Sequence, residues 1–517
     1  MSEAKPRENW GNKLGIILAV AGSAVGLGNF LRFPVQAAQN GGGAFMIPYF
    51  VSFLLLGIPL MWIEWAIGRY GGLFGHGSAP FILNRLWKNK IVKYMGVIGI
   101  FGPVVIFIYY TYIESWLLGY TFFSVTGKLL EIATPEGMKG FLSAYQGLAP
   151  GSNIWTAYIF FLFTFAINFY FLYRGIRGGI EMLCKIAMPI LMIFGIIVAI
   201  RVLSLGTPNL SNPDWNILNG MGFLWNPDFS VLTSAKVWMA AAGQIFFTLS
   251  VGIGAILTYA SYLKKGDDVV LSGLTAASTN GFAEVILGAS IVIPAAFAFF
   301  GPVGAAEAAH SGAFNLGFVT MPLIFGNIPF GSIFAVLWFS LLFLAGITSS
   351  VSLAEPAVAF VSDEFHIPRK KAVIRLGIIL FLLCQLPIFF LGQGVVDELD
   401  FWGGTFCLVL FGTIEAVLFT WVFGIDKAWE EMHHGAEMRI PGFYKFIIKY
   451  ITPLFLFCIL GFWFFQQGIP TILMHGVSES QKPFILATRI GLISLFVAIA
   501  LLVRIAWYKN KNPEHAE

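Results

Sequence analysis

Residues 21–29, Ala-Gly-Ser-Ala-Val-Gly-Leu-Gly-Asn, decide the fold, because they interrupt a long apolar run that begins near Lys13. Residues 247–254, Phe-Thr-Leu-Ser-Val-Gly-Ile-Gly, interrupt a second apolar run in the same way. Unwound backbone inside a membrane is tolerated only where its polar groups line a cavity or bind something. The two stretches therefore predict helix breaks that form a binding site. Close helix packing is the alternative, since Gly22 and Gly26 also have the spacing of a packing motif.

The composition excludes a water-soluble fold. Of the 517 residues, 57% are hydrophobic and 11% are charged, whereas soluble domains carry about 25% charged residues. The many Phe and Trp residues fit helices that face lipid and its headgroups. A net charge of +4, spread along the chain, does not indicate a nucleic-acid partner. We expect a polytopic membrane protein.

Apolar runs between charged or turn-forming clusters predict an all-α membrane protein with twelve transmembrane helices. The predicted spans are 13–38, 43–69, 91–124, 155–173, 179–204, 236–262, 270–302, 330–361, 371–392, 399–424, 444–472 and 486–508. The stretch 301–329, rich in Gly and Ala, is expected to fold back as a short hairpin.

The two interruptions lie five spans apart, and an odd offset is the pattern of an inverted repeat. The chain accordingly divides into a cytoplasmic tail (1–12), a first repeat (13–204), an outer loop (205–235), a second repeat (236–424), spans 11 and 12 with their connecting loop (425–508) and a second tail (509–517). Most of the 31 Lys and Arg residues fall on the side of the tails, which predicts that both termini are cytoplasmic.

Oxygen-bearing side chains inside the spans indicate a cation site, because a hard cation prefers oxygen ligands. These residues are Asn29, Thr248, Asn280 and the run Thr348-Ser349-Ser350. Helix ends exposed at a break also offer carbonyls to a cation and N–H groups to an anion. A ligand with a carboxylate, lying beside a cation, would satisfy both. For any single Ser or Thr the alternative is a bond to the carbonyl one turn earlier.

Carboxylates within the spans are functional candidates, because burying a charge in a bilayer is costly. They are Glu64, Glu114, Glu284, Glu355 and Glu415. Asn280 and Glu284 share a helix face at their spacing of four residues. For Glu64, Glu114 and Glu415 we expect that the carboxyl ties helices together.

Opposite charges near the two mouths of the bundle suggest gates. Arg32 and Asp400 lie at the outer ends of spans 1 and 10, and Arg7 and Asp363 lie on the inner side. Each pair could close its mouth. The alternative is that all four are ordinary solvated charges, since surface ion pairs are individually weak.

The stretch Gly26 to Pro34, Gly-Leu-Gly-Asn-Phe-Leu-Arg-Phe-Pro, closely resembles the first span of the neurotransmitter:sodium symporter family, in particular its bacterial leucine-transporting members. Further similar stretches follow in the same order, at 40–45, 109–116, 244–250, 259–262, 345–350 and 400–402. The resemblance implies the leucine-transporter fold, which is a 5+5 inverted repeat with broken helices 1 and 6. It also implies a sodium-coupled symporter that works by alternating access, and not an enzyme.

The resemblance further implies the binding residues. The first sodium site would consist of Ala24, Asn29, Thr248, Asn280 and the substrate carboxylate, and the second of Gly22, Val25, Ala345, Thr348 and Ser349. The substrate carboxylate would meet Leu27, Gly28 and the Tyr110 hydroxyl. Its amino group would meet oxygens of Ala24, Phe247, Thr248 and Ser250. Its side chain would lie among Ile106, Phe247, Ser250, Ile253, Ser349 and Leu353.

Two gates follow from the same resemblance. The outer gate would consist of Arg32, Tyr110, Phe247 and Asp400. The inner gate would consist of Arg7, Trp10, Tyr262, Glu355 and Asp363.

Two positions bear on the ligands. Members of the family that carry monoamines have an Asp where this chain has Gly26, so here the ligand must bring its own carboxylate. The uncharged walls predict a neutral, aliphatic amino acid. Chloride-dependent members have a Ser where this chain has Glu284, whose carboxylate is expected to replace chloride.

The expected partners are an amino acid, two sodium ions, the lipid bilayer and, in a homodimer, a second copy of the chain, with no organic cofactor. The brief tails, and a second outer loop without the cysteine pair of animal relatives, predict a prokaryotic cell membrane. A non-transporting amino-acid sensor or a substrate-gated channel on the same scaffold is the alternative function. The short tails argue against the sensor.

Overall fold

The computed structural model describes residues 8–511, and the regular structure of this part of the chain is helical, apart from one isolated antiparallel bridge between Gly42 and Pro227. Ten of its helices are long and apolar enough to cross a membrane, and the pair Lys13–Ala24 and Gly28–Gln39, bent by 47°, makes an eleventh candidate. The predicted class, an all-helical membrane protein, is confirmed.

Most spans begin and end within four residues of the predicted limits. In chain order they are span 1 (Lys13–Ala24 and Gly28–Gln39), span 2 (Gly43–Gly72), span 3 (Val92–Val125), span 4 (Trp155–Tyr173), span 5 (Ile176–Leu203), span 6 (Ala235–Leu249 and Ala255–Ala260), span 7 (Val270–His310), span 8 (Gly331–Phe365), span 9 (Arg369–Phe389), span 10 (Val395–Val422), span 11 (Phe443–Ile472) and span 12 (Lys482–Lys511).

Span 6 consists of two helices, Ala235–Leu249 and Ala255–Ala260. Each is too short to cross a membrane alone, so span 6 is not among the eleven candidates. Between the two helices the backbone has positive φ at Ser250 (55°), Gly252 (75°) and Gly254 (90°). Glycine adopts this conformation without steric cost, but Ser250 is held there against its preference. In span 1 the helix ends at Ala24 and resumes at Gly28. The breaks lie where the sequence predicts them.

Span 7 continues eight residues beyond its predicted end, to His310. It bends at Gly301, whose φ is 69° and where an added Cβ would overlap the Trp215 ring. The following helix, Gly312–Gly326, packs back against it, so the expected hairpin is present. The two long outer connections also carry short helices, Pro135–Tyr145 and Ile217–Trp225.

Helix packing places both breaks inside the bundle. Spans 3 and 8 form the most extensive helix contact, and the first half of span 1 packs against spans 5, 7 and 8. Span 7 lies against the broken part of span 1 at Gly288. A Cβ built there would overlap the carbonyl oxygen of Asn29. The absence of a side chain at residue 288 therefore sets the distance between spans 1 and 7.

We predict that Gly288→Ala lowers the unfolding temperature of the detergent-purified protein by about 3 °C or more, because the added methyl forces spans 1 and 7 apart. Gly281→Ala is the matched control, since it lies in the same span and no atom lies within 4 Å of its added Cβ. A thermal melt followed by size-exclusion chromatography measures both. Equal melting temperatures for the two variants would contradict the close approach at residue 288.

Candidate functional site

A small cavity lies where the breaks of spans 1 and 6 face each other. Its walls come from spans 1, 3, 6, 8 and 10. They include all eleven residues predicted to bind substrate: Ala24, Leu27, Gly28, Ile106, Tyr110, Phe247, Thr248, Ser250, Ile253, Ser349 and Leu353. The structure thus brings together residues that are up to 329 positions apart in sequence.

The side chain of Asn29 joins spans 1, 6 and 7 beside this cavity. Its Oδ1 accepts the backbone N–H of Gly26 at 2.8 Å. Its Nδ2 donates to Asn280 Oδ1 at 2.8 Å and to Thr248 Oγ1 at 3.1 Å. Asn29 and Asn280 are fully buried. One amide therefore satisfies a backbone donor freed by the break and holds two neighbouring spans at a fixed distance.

The oxygens of the first predicted sodium site converge around Asn280. Its Oδ1 lies 3.0 Å from the carbonyl oxygen of Ala24 and 3.1 Å from that of Thr248. Acceptors this close repel each other unless a positive group lies among them. A cation among the oxygens would relieve the repulsion and keep the hydrogen bond from Asn29, whereas turning the amide over would set its nitrogen 2.8 Å from Asn29 Nδ2, donor against donor. The neutral oxygen set suits a hard cation such as sodium.

The second predicted sodium site lies between spans 1 and 8. The Ser349 hydroxyl lies 3.4 Å from the Gly22 carbonyl oxygen and 3.0 Å from that of Ala345. Thr348 Oγ1 lies 3.2 Å from the same Ala345 oxygen, and a Cβ at Gly22 would lie 3.2 Å from the Thr348 Cβ. Val25 is buried and follows immediately after the first helix of span 1. Four of the five predicted residues, Gly22, Ala345, Thr348 and Ser349, therefore form one oxygen-rich contact.

The residues predicted for the two sodium sites offer neutral oxygens and no charged ligands. Within residues 8–511, no group of three or more His, Cys, Asp or Glu side chains could hold a metal ion. A transition metal, which favours imidazole or thiolate, has no ligand set in this part of the chain.

Two glycines at the break in span 1 lie close to side chains of spans 3, 6 and 8. A Cβ on Gly28 would lie 2.6 Å from the Phe247 ring. A Cβ on Gly26 would lie 3.1 Å from Ser349 Oγ and 3.4 Å from the Tyr110 hydroxyl. A side chain at residue 26 would therefore point into the space between the Tyr110 hydroxyl and span 8.

The outer-gate residues do not form the direct ion pair that the sequence suggests. The Arg32 guanidinium lies 4.4 Å above the centre of the Phe247 ring, a cation–π contact. Asp400 accepts instead from the Tyr109 hydroxyl, at 2.5 Å. Within residues 8–511, no nitrogen of the Arg32 guanidinium lies within 4 Å of a carboxylate oxygen of Asp400. Phe247 thus both lines the cavity and contacts Arg32.

Two separate contacts involve the predicted inner-gate residues, one at each of Trp10 and Tyr262. Trp10 Nε1 donates to the Tyr259 carbonyl oxygen at 2.8 Å, and the Tyr262 hydroxyl donates to Glu355 at 2.7 Å. Asp363 lies in the last turn of span 8. Arg7 lies outside the described residues.

Arg369 contacts the predicted inner gate, and the sequence analysis missed it. Both of its terminal nitrogens donate to the buried Glu355 carboxylate, each at 2.6 Å. In the sequence Arg369 is one of three consecutive basic residues that begin span 9, so it is indistinguishable from the general positive charge of that side. Its contact with Glu355 joins two different helices, spans 8 and 9, so no spacing of residues along the sequence indicates it.

Glu284 has partners that fix its position beside the first predicted sodium site. The Tyr49 hydroxyl donates to it at 2.5 Å, and the Gln244 amide donates to its other oxygen. The carboxylate is fully buried. Neither Tyr49 nor Gln244 was among the predicted site residues. The interaction joins spans 2, 6 and 7.

Glu64 and Glu114 tie helices together, in line with the expectation from sequence. Glu64 of span 2 accepts the backbone N–H of Gly252 in the span 6 break. Glu114 of span 3 accepts from the Asn168 amide at 3.2 Å, and Ser350 of span 8 donates to the same Asn168 at 2.6 Å. Both carboxyls are fully buried.

Comparison with known proteins gives a consistent result. A model of the sodium:neurotransmitter symporter family matches residues 7–133 and 138–509. An uncharacterized sodium-dependent transporter of Methanocaldococcus jannaschii is 33% identical over 463 residues, which cover 87% of this chain and 89% of that protein. The sodium-dependent dopamine transporter of Caenorhabditis elegans is 24% identical over 504 residues, covering 87% of this chain and 79% of that protein.

A solved structure shares the fold. The crystal structure of MhsT in complex with L-phenylalanine matches with a TM-score of 0.75 and 31% sequence identity. The match covers 88% of this chain and the whole of MhsT.

We predict that Asn29→Ala and Thr248→Ala each abolish sodium-dependent ligand binding, because each removes an oxygen ligand and a contact that holds the span 1 break in place. Thr279→Ala is the matched control, since this hydroxyl donates to the Thr275 carbonyl of its own helix, at 2.8 Å, one residue from Asn280. Binding of a labelled amino acid in sodium and in potassium, measured by scintillation proximity, reports the effect. Full sodium-dependent affinity in both site variants would remove the first sodium site.

Proposed function

Since the chain belongs to the sodium:neurotransmitter symporter family, we propose that this sodium-dependent symporter carries a neutral α-amino acid across the cell membrane by alternating access and without chloride. Two sodium ions accompany the substrate, one at each oxygen-rich contact beside the cavity. The inner gate faces the cytoplasm, where both termini lie.

The observation that carries the proposal is the bare backbone at Gly26. A Cβ there would already lie 3.4 Å from the Tyr110 hydroxyl and 3.1 Å from Ser349 Oγ. The space that a longer side chain would fill is left to the ligand. The negative charge that completes a cation site at this point must then come from the ligand, and an α-carboxylate supplies it.

The broken helix of span 1 suits that carboxylate. N–H groups at the start of the second half, near Leu27 and Gly28, are freed by the break and carry partial positive charge. Carbonyls at the end of the first half, including that of Ala24, face the Asn280 oxygen instead. The anion and the cation therefore bind at adjacent helix ends, and each raises the affinity of the other.

The walls of the cavity favour a neutral substrate side chain. Ile106, Ile253 and Leu353 line it, and among the described residues no charged side chain does. A buried ammonium or carboxylate at the end of the substrate would have no partner, which is costly. These walls support a compact side chain with an aliphatic body.

The buried Glu284 carboxylate supports independence from chloride. It lies four residues after Asn280 and is held by Tyr49 and Gln244. A fixed negative charge beside a sodium ion balances its positive charge, as a bound chloride would. Chloride then adds nothing to the balance of charge at the site.

We predict that Gly26→Asp lowers the affinity for a neutral amino acid by at least about 100-fold, because the new carboxylate takes the place of the substrate carboxylate. Gly26→Ala is the matched control, since it adds the Cβ without the charge. Equilibrium binding in sodium measures both variants. The proposal is wrong if Gly26→Asp binds amino acids as tightly as Gly26→Ala does.

The function itself is tested by uptake of a panel of labelled amino acids into proteoliposomes. An inward sodium gradient is compared with potassium on both sides, with and without chloride. We expect accumulation above equilibrium with sodium only, unaffected by chloride. Sodium-dependent binding without accumulation would instead indicate a sensor, and uptake that stops at equilibrium would indicate a channel. Loss of uptake on removal of chloride would refute the role given to Glu284.

A further inference from the structure

Three serine hydroxyls meet at one wall of the cavity. Ser23 comes from span 1, Ser250 from the span 6 break and Ser352 from span 8, and all three line the cavity. Ser23 and Ser352 were not among the predicted substrate residues. Their Oγ atoms lie 2.7 Å apart. The Ser250 hydroxyl donates to the Ser23 carbonyl oxygen at 2.8 Å.

The hydrogen atoms of these hydroxyls can be assigned from their partners. A serine hydroxyl has one hydrogen to donate and two lone pairs to accept with. Ser352 donates its hydrogen to the Ser349 carbonyl oxygen, at 2.7 Å. The bond between Ser352 and Ser23 then requires Ser23 to be the donor. All three hydrogens are thereby used within the protein.

This wall therefore presents acceptors only. Ser23 Oγ keeps both of its lone pairs, and among residues 8–511 Ser250 Oγ likewise donates a hydrogen bond without accepting one. Ser23 and Ser352 are 2% and 1% exposed, so bulk water does not reach them once a substrate fills the cavity. A purely aliphatic side chain would leave these acceptors unsatisfied, which costs binding free energy.

The rest of the cavity restricts which donor can reach the serines. Ile106, Ile253 and Leu353 give an apolar surround, without a carboxylate to neutralise a cationic side chain. A carboxylate at the end of the substrate would itself be an acceptor and would be repelled. An uncharged N–H or O–H group is the chemistry that remains.

We propose that the preferred substrate is a neutral amino acid whose side chain ends in a hydroxyl or N–H donor, and that Ser23 and Ser352 determine this specificity. The inference rests on the proposed function, because it concerns the side chain of the amino acid bound at the same site. It refines the expectation of a purely aliphatic substrate.

The test compares pairs of substrates that are similar in size but differ in the donor: threonine with valine, asparagine with leucine, glutamine with methionine, and tyrosine with phenylalanine. Dissociation constants in sodium are measured by competition against a labelled amino acid, using the purified full-length chain. We expect the donor-bearing member of at least one pair to bind about three- to tenfold more tightly, the effect of one hydrogen bond.

Variants assign the preference to the serines. In Ser23→Ala the ratio for that pair should fall to about one, because the acceptor with two open lone pairs is gone. In Ser352→Ala it should also fall, because the Ser23 hydrogen loses its acceptor and turns toward the cavity. Ser352→Thr keeps the hydroxyl and should keep the preference. Ser290→Ala is the matched control, since this hydroxyl donates to the Ile286 carbonyl on an exposed face of span 7, at 2.6 Å.

The outcomes separate this inference from the proposed function. Equal affinities within all four pairs, or a preference unchanged in both Ser→Ala variants, would overturn the inference while sodium-dependent binding leaves the function intact. A chain that binds no α-amino acid in sodium would overturn both.

Discussion

The hydrogen bonds of the Asn29 amide are the interaction on which the site depends. A helix that breaks inside a membrane frees backbone groups that have no water to bind, and each must find a partner in the protein. Asn29 Oδ1 takes the N–H of Gly26, and its Nδ2 reaches Asn280 and Thr248. The same side chain thus stabilises the break in span 1 and positions oxygens from spans 6 and 7. Glu64 satisfies the backbone N–H of Gly252 in span 6 in a similar way.

The predicted gates lie on the two sides of the cavity and are held by different kinds of contact. On one side of the cavity, Phe247 packs against the bare backbone at Gly28 and carries Arg32 on its face. On the other side, Glu355 is held by Tyr262 and by both nitrogens of Arg369. The first contact is a cation–π contact on an aromatic ring, whereas the second is a buried ion pair that must be broken or moved intact. The two predicted gates therefore differ in the contacts that would have to change on opening.

The sequence predicts the spans and the breaks because both leave local signals, in apolar length and in clustered glycines. It predicts the lining of the cavity through a family resemblance whose matching stretches run in order from span 1 to span 10. Three features leave no such signal. Arg369 is hidden in a basic run, and Ser352 looks like any serine that bonds within its own helix. The bend that lets span 7 continue past Gly301 depends on a positive φ and on the nearby Trp215 ring, which only the folded chain brings together.

The central claim is that the ligand carboxylate completes a cation site at the break in span 1. Calorimetry of sodium binding tests it directly, with a neutral amino acid present and, separately, with the amine that results from its decarboxylation. We expect the amino acid to raise the sodium affinity by at least about tenfold, within the usual range of coupling between two sites, and the amine to leave it unchanged. An equal increase with the amine would contradict the account.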